Sequence, residues 1–455
     1  MFFPGQKTLF AQRDTVALAA AFANLPAHWQ QNKWLHKNNR YAKKCIPKLT
    51  IDFTPGAKIK HKHLAEYVAA STIMHCMDGW SYLGRALHAQ LTGDHDCARH
   101  LAYYAELRAA MGLLASQGIG VFSSEHVAVS KKQKCLQFPP LRNANEPTRP
   151  RGVGTHVFVW DALEEWSTSS SSTAVILDIV SAGGSPLQDW LNHFGAIPAL
   201  ANQLTKDWLL AWGLDISRLA DDRDARNLSS YRPTSISTCR SPSPEIVLRF
   251  ISGLWRQCEP KWGGPFTQLD QCLVRLSLER AFRAAFHKSP KRAKKQFESR
   301  IEGVLHGLQP KAVAGLNWMN FFCSTQVEPA QVLSLAADSV GPDDPEHSLQ
   351  VASRALLLLR LTSGVGNRLL RSLPAASTDH LSFWISAVGS DRALWPPNHP
   401  PTASIDLWSD AEAALNEIHV NLDQVDSFNT LWRRFANSAV MLASWERVGL
   451  WGLGL

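Results

Sequence analysis

Along most of the chain, apolar side chains return every three or four positions, the spacing that lines one face of a helix. Across 63–91 the repeat runs through Leu64, Tyr67, Val68, Ile73, Met77, Trp80, Leu83, Leu87 and Leu91, which predicts one long helix. Gly93-Asp94 interrupts it, and an acidic residue between 94 and 96 supplies an N-cap for the next. Across 98–116, Leu101, Tyr104, Ala105, Arg108, Met111 and Gly112 keep helical spacing in an Ala-rich background, and Gly118 and Gly120 end the element. So short a break predicts an antiparallel helical hairpin.

The pattern then changes. Residues 131–154, rich in Lys, Pro, Asn and Arg, read as a loop. Short β-branched, apolar runs at 156–160 and 174–180 predict two strands. Residues 161–166 and the Ser/Thr tract 167–173 connect them, and Gly183-Gly184 with Pro186 close this part. Helical spacing resumes at 186–194 and at 202–222, where Leu204, Trp208, Leu209, Trp212, Ile216 and Leu219 share a face. Pro233, Pro242 and Pro244 mark a loop, since each fixes φ and removes a donor. Beyond it, 245–257, 266–287, 293–308, 316–323, 329–338, 348–373, 379–388, 406–418 and 425–450 all read as helices. No repeat of solenoid length occurs. The expected fold is mainly α: helical bundles in two units, with a small β insertion near 155–181. The expected division is a basic N-terminal arm (1–62), a helical domain (63–233) and a C-terminal helical domain (245–455), with the Ser/Pro-rich link 234–244 as boundary.

Composition narrows the class. In 455 residues, 45% are hydrophobic and only 19% charged, which excludes a disordered or coiled-coil chain. No apolar run reaches the roughly 18–20 residues of a membrane span, and the opening Met1-Phe2-Phe3-Pro4-Gly5 lacks a basic segment before an apolar one. A cytoplasmic protein without a membrane partner is expected. The eight cysteines are scattered with no Cys-x-x-Cys pair, so free thiols are expected. The densest ligand cluster, His95, Cys97 and His100 with His75, Cys76 and His88 upstream, offers one half-site where zinc needs four converging ligands. No metal is expected there. Asp178 and the Glu259-Pro260-Lys261 run lie about eighty residues apart, which is poor for a shared cation. Gly118-Ile119-Gly120 and Gly364-Val365-Gly366 lack the remainder of a phosphate-loop fingerprint, and no Gly-x-Ser-x-Gly elbow is present. No cofactor is expected.

Charge carries more information. Between 1 and 63, eleven Lys/Arg face only Asp14 and Asp52, with Trp29, Trp34, Tyr41 and four histidines interleaved. Cations attract phosphates through counterion release and aromatic rings stack on exposed bases, so Lys33, Trp34, Lys37, Arg40, Lys43 and Lys44 are candidate nucleic-acid contacts. The alternative is a solvated face that keeps a Trp-rich chain dispersed. A second block, 275–300, holds nine Lys/Arg against Glu279 and Glu298, and adds Arg283, Lys291, Arg292, Lys294 and Lys295 as candidates. Residues 331–431 instead hold twelve Asp/Glu and five Arg. A basic front and an acidic rear suit a phosphate-bearing ligand on one side and a basic protein partner on the other. In 348–373, Arg354, Arg360, Arg368 and Arg371 read as the rim of a long core helix.

The run Asp221-Asp222-Arg223-Asp224-Ala225-Arg226-Asn227 continues to Tyr231-Arg232-Pro233 at the end of a helix, after the Ala-rich helix with its Tyr pair. Over about 63–245 this resembles the HEPN superfamily of small helical bundles. That family commonly carries an Arg, a polar residue and, a few positions on, a His on a late helix. Arg226-Asn227 fits the opening, whereas Tyr231, Arg232 or Pro233 stands where the His belongs. A phenol near pKa 10 is a poor general base at neutral pH, so Arg226, Tyr231 and Arg232 are candidates for holding phosphates or bases. The plain alternative ties the Asp cluster to Arg223 and Arg226 at a helix end. The resemblance implies a dimeric helical module, often encoded in microbial defence or toxin systems, acting as an endoribonuclease or an RNA-binding derivative.

Arg280 and His287, seven apart, lie on one side of a helix two turns along and fit an Arg–His spacing tolerated in the same superfamily. Metal-free RNA cleavage needs a His for proton transfer and an Arg against the phosphorane charge, so these two are the candidate catalytic residues. An amphipathic basic helix is the alternative. The leading functional expectation is a nucleic-acid-associated component of a prokaryotic antiviral-defence-type system, binding RNA or DNA through basic surfaces, with another protein subunit or a second copy as partner. The alternatives are a HEPN-like metal-independent endoribonuclease and a non-enzymatic adaptor subunit.

Overall fold

The computed structural model describes residues 1–139, 153–195, 204–231, 242–261, 264–285, 290–313, 315–324, 330–396 and 399–455. The protein is mainly helical. Four short helices open it: α1 (Pro4–Ala11), α2 (Thr15–Phe22), α3 (Pro26–Trp29) and α4 (Cys45–Asp52). Two long ones follow, α5 (His61–Leu91) and α6 (His95–Ser116), packed along each other as an antiparallel hairpin. Asp94 caps α6 by accepting from the Cys97 amide at 3.0 Å, and Gly118, at φ +83, turns the chain out of it.

The β structure is small and not where the sequence places it. Three antiparallel strands, β1 (Ile119–Phe122), β2 (Glu125–Ser130) and β3 (Lys134–Gln137), form a meander, pairing Gly120 with Val127 and Ala128 with Leu136. Residues 156–160, expected as a strand, belong to α7 (Thr155–Ser167). Phe158, Val159, Ala162, Leu163 and Trp166 bury one helical face there, so tertiary packing overrides the local β propensity of the first five residues. Residues 174–180 likewise fall mostly in α8 (Ser170–Ile179), which buries Ser172 and Ile176 one turn apart. Among the described residues, the pairing near 181 is the two-residue ribbon of β4 (Ser181–Ala182) and β5 (Ser185–Pro186).

The rest is α9 (Leu187–His193), α10 (Thr205–Ala211), α11 (Leu219–Tyr231), α12 (Pro244–Gln257), α13 (Thr267–Ala285), α14 (Pro290–Leu308), α15 (Trp318–Cys323), α16 (Gln331–Ala337), α17 (His347–Arg371), α18 (Ser382–Asp391), α19 (Ser404–Val420), α20 (Phe428–Leu442) and α21 (Glu446–Leu453). The core axis is α17, which packs on both α5 and α6 and is buried nearly all round. Close approach is made possible by small residues: a Cβ on Gly79 would meet Leu359 at 2.6 Å, and one on Gly112 would meet Thr362 at 2.7 Å. Polar groups on this buried helix find partners in its neighbours, with Thr362 donating to the Ala109 carbonyl at 2.8 Å and the Trp80 indole donating to Ser363 at 2.9 Å. Thus α17, from the expected C-terminal unit, lies in the same hydrophobic core as the α5–α6 hairpin. Most of the expected boundary, 234–244, falls outside the described residues.

The first 62 residues are not a solvated arm. Leu18, Phe22, Leu25, Trp29, Tyr41 and Leu49 are fully buried, and α2 packs on α5. The cations of this segment are spaced so that its apolar residues turn inward and its lysines outward, which charge counting along the sequence does not reveal.

Candidate nucleic-acid interface

The aromatic pair of α6 anchors the site. Tyr103 points inward and Tyr104 is half-buried on the adjoining face. Arg226, on α11, lies over both rings, its guanidinium carbon 5.2 Å from the Tyr103 centroid and 5.6 Å from that of Tyr104. His156, at the start of α7, stacks on Tyr103 at 5.7 Å and meets Tyr104 edge-on at 5.9 Å. Its Nδ1 is 2.9 Å from the Tyr103 hydroxyl and its Nε2 is 3.5 Å from Nη2 of Arg226. Arginine only donates, so the assigned tautomer has Nδ1–H donating to the phenol oxygen and the Nε2 lone pair facing Arg226. His100 lies against the other edge of Tyr104 at 5.0 Å, with Nδ1 2.9 Å from the Ser230 hydroxyl.

The electrostatics follow from this packing. Burial, then the charges of Arg226 and Arg223, hold His156 below the ordinary histidine range. Burial and Arg226 do the same to His100. Burial pushes the Tyr103 phenol up, so it stays protonated. The result is a cation with the neutral imidazole of His156 beside it, close enough to His100 to lower that histidine as well. Nε of Arg226 is buried without a hydrogen-bond partner, although the residue is only 9% exposed.

The aromatic row extends in both directions. Tyr82 of α5 stacks on Tyr104 at 5.4 Å, and the Arg85 guanidinium covers the Tyr82 ring at 5.6 Å. On the other side a cavity of about 540 Å³ opens between α4, α5, α6, β1 and α7, lined among others by Tyr67, His75, Tyr104, Arg108, Phe122 and His156. Arg108 reaches Nδ1 of His75 at 3.0 Å and Asp78 at 3.5 Å. Burial lowers His75, partly countered by Asp78. Burial also pushes the Tyr67 phenol and the Cys45 thiol up to about 12 each, so neither is a nucleophile at neutral pH.

The other expected site residues are dispersed. Lys33, Lys37, Lys43 and Lys44 are exposed. Trp34 is half-buried and packs perpendicular to Trp29 and Trp384, at ring-centroid distances of 5.6 and 5.1 Å. Arg40 donates through Nε to the buried Asp52 at 2.7 Å, and Asp52 also accepts from Tyr41 at 2.7 Å, so this arginine holds the fold together. Arg283 is exposed and paired with Glu279 at 3.1 Å. Arg292, Lys294 and Lys295 are exposed on α14, where Lys291 stands in the first turn. Arg280 is half-buried on α13 with its Nε enclosed and unpartnered. His287 and Arg232 lie outside the described residues, so Arg280 and His287 are not brought together by anything described. Tyr231 projects from the end of α11, 83% exposed. Among the described residues no group of His, Cys, Asp or Glu is arranged to hold a metal ion, and the described cysteines are free thiols. No helix of the described residues is long and apolar enough to cross a membrane.

Arg223 pairs with Asp224 at 3.0 Å, but Asp222 is not held by Arg223 or Arg226. It is buried and receives two hydrogen bonds from Arg354, at 2.7 and 2.6 Å. Arg354 and Arg360, expected on a rim, are inside the core, Arg360 being bidentate on Asp270 at 2.7 Å for both bonds. The Asp222–Arg354 pair fixes α11 against α17, and thereby sets Arg226, one turn further along α11, over the tyrosines. His156 and His100 were missed as candidates because neither has Arg226 near it in sequence.

No protein-family model, curated protein or solved structure matches this chain.

Proposed function

We propose that this protein binds single-stranded nucleic acid, RNA in the first place, across the row formed by Arg85, Tyr82, Tyr104, His156 and Arg226. The observation that carries the reading is Arg226 lying over Tyr103 and Tyr104 with His156 beside it. Arg85 over Tyr82 and Arg226 over Tyr104 set guanidinium groups at the two ends of a tyrosine stack, where they attract phosphates while the ring edges meet bases. The exposed lysines at 33, 37, 43 and 44 and those on α14 would add sequence-independent attraction to the backbone. The resemblance of 63–245 to the HEPN superfamily, read from the sequence, is what supports proposing a cytoplasmic, prokaryotic defence-type setting with a second subunit or a second copy as partner.

A second reading has its own support. A neutral imidazole beside an arginine supplies two of the groups that metal-independent RNA cleavage uses, the histidine taking the 2′-hydroxyl proton and the arginine meeting the phosphorane charge, with the leaving 5′-oxygen taking its proton from water. His156, with Nε2 3.5 Å from Nη2 of Arg226, is the candidate base, and Arg226 the cation. The experiment is a titration of purified protein with labelled single- and double-stranded RNA and DNA at low and physiological salt, with gels of the same samples. Salt-dependent binding with intact ligand supports the binder. Shortened RNA without added metal supports the nuclease. No binding at low salt removes both and leaves the adaptor.

A further inference from the structure

A second cavity, of about 920 Å³, opens between α8, the β4–β5 turn, the start of α13, Lys311 and the C-terminal ends of α17 and α21. Four cations line it, Lys311, Arg360, Arg368 and Arg371, against two carboxylates, Asp178 and Asp270. Asp270 is spent on Arg360, which it holds bidentate at the buried floor. Asp178 makes an exposed pair with Arg368 at 3.0 Å, a contact of little strength that an incoming anion displaces. Among the described residues, the Lys311 ammonium and the Arg371 guanidinium make no hydrogen bond or ion pair, and both residues are exposed. The cavity therefore presents an excess of positive charge.

Glycines make room for its polar side chains. Gly184, at φ +85, would bring a Cβ within 3.1 Å of the Lys311 stem, and the Lys311 amide is tied to the Gly183 carbonyl at 2.9 Å. A Cβ on Gly364 would meet the Arg360 guanidinium at 2.7 Å. Gly454, left-handed at φ +76, similarly leaves space for the Asn367 amide, which a Cβ would approach to 2.4 Å. Three separate backbone segments are thus shaped around Lys311, Arg360 and Asn367. Cations near the C-terminus of α17 also complement the helix dipole, but that role does not require Lys311, which arrives from another part of the chain.

We propose that this cavity binds a phosphate-bearing small molecule of nucleotide size, with Lys311, Arg368 and Arg371 on the phosphates and Asn367 as a neutral donor, above a floor formed by the Arg360–Asp270 pair. The volume lies in the range of small-ligand sites, and planar guanidinium forks match phosphate oxygens. The proposal is independent of the RNA-binding reading, since the two sites share no residue.

The test is isothermal titration of the full chain with ADP and with inorganic pyrophosphate, repeated on Lys311→Ala and Arg371→Ala, two exposed positions where the fold tolerates truncation. Binding of either probe, weakened at least tenfold in both variants while the thermal midpoint without ligand stays unchanged, is the expected result. No heat with either probe at millimolar concentration overturns the proposal, as does binding that both variants retain. A single-stranded oligonucleotide whose affinity, rather than that of ADP or pyrophosphate, depends on Lys311 and Arg371 also overturns it, by assigning these cations to nucleic acid.

Discussion

Nη2 of Arg226 stands 3.5 Å from Nε2 of His156, two residues seventy positions apart in sequence that meet over the ring of Tyr103. This meeting needs α7 and α11 docked on the same end of α6. It converts an arginine on a helix into a cation with a stacking surface and a neutral acceptor beside it. Replacing Arg226 by Ala is expected to weaken single-stranded RNA binding at least tenfold, with Arg226→Lys restoring only part, because an ammonium lacks the planar face. Fluorescence anisotropy at fixed salt checks this, with circular dichroism to confirm the fold. Equal affinity for all three proteins would remove Arg226 from the interface.

If RNA is cleaved, His156→Ala is expected to abolish cleavage while binding falls only a few fold. Cleavage at the wild-type rate in that variant would exclude His156 as the proton-transfer group.

Asp222 and Arg354 form a buried bidentate pair, with Glu106 3.7 Å from Nε of Arg354, and removing one partner of a buried pair is costly. Asp222→Ala is expected to lower unfolding free energy by about 3–5 kcal/mol, whereas the double variant Asp222→Leu/Arg354→Met, which removes both charges, loses much less. Urea denaturation of the three proteins decides it. A double variant as unstable as the single one would contradict the account.

Glu106 is fully buried beside that pair, with Oε1 3.7 Å from Nε of Arg354. Burial, then the Asp222 carboxylate, raises its pKa well above the ordinary range, so it is a neutral acid in the folded protein. A raised folded pKa gives stability that is complete below the unfolded value and is lost as pH rises. Glu106→Gln, which cannot ionise, is therefore expected to be more stable than the parent at pH 7–8 by on the order of 1 kcal/mol or more, and no more stable near pH 4. Melting curves across pH test the crossover.

His126 and His347 act in the opposite direction. Burial lowers His126 to about 4 despite its contact with the Val153 carbonyl, and burial with Arg99 and Arg354 lowers His347 to about 3. Their unfolded forms take up protons as pH falls below about 6.5, so stability present above that pH is lost between about 6.5 and 4. Stability is expected to fall by on the order of 3 kcal/mol from His126 alone over that interval. His126→Gln should flatten the acid limb, and an unchanged limb would show that this imidazole is accessible to protons in the folded state.

Legibility in the sequence followed the range of the forces involved. The α5–α6 hairpin, the Asp94 cap and the break at Gly118 were readable because spacing, capping and turn chemistry are local. Residues 156–160 misled because five β-branched and aromatic residues look like a strand until Ala162, Leu163 and Trp166 continue the same buried face. The first 62 residues misled because charge was counted along the chain, while folding sorts lysines outward and Trp29, Tyr41 and Phe22 inward. Arg226 was legible as a candidate from its helix-end setting. His156 and His100 were not, since what makes them interesting is proximity to Arg226 created by tertiary packing. The Tyr pair at 103–104 was a signal in the sequence for the face of α6 over which Arg226 lies.

The most direct test of the central claim is ultraviolet crosslinking of bound single-stranded RNA to the whole protein, with the adducts mapped by mass spectrometry. The account predicts adducts on Tyr82, Tyr104 and His156, reduced in Arg226→Ala. Adducts confined to 33–44 or 291–295, with none on this row, would contradict it.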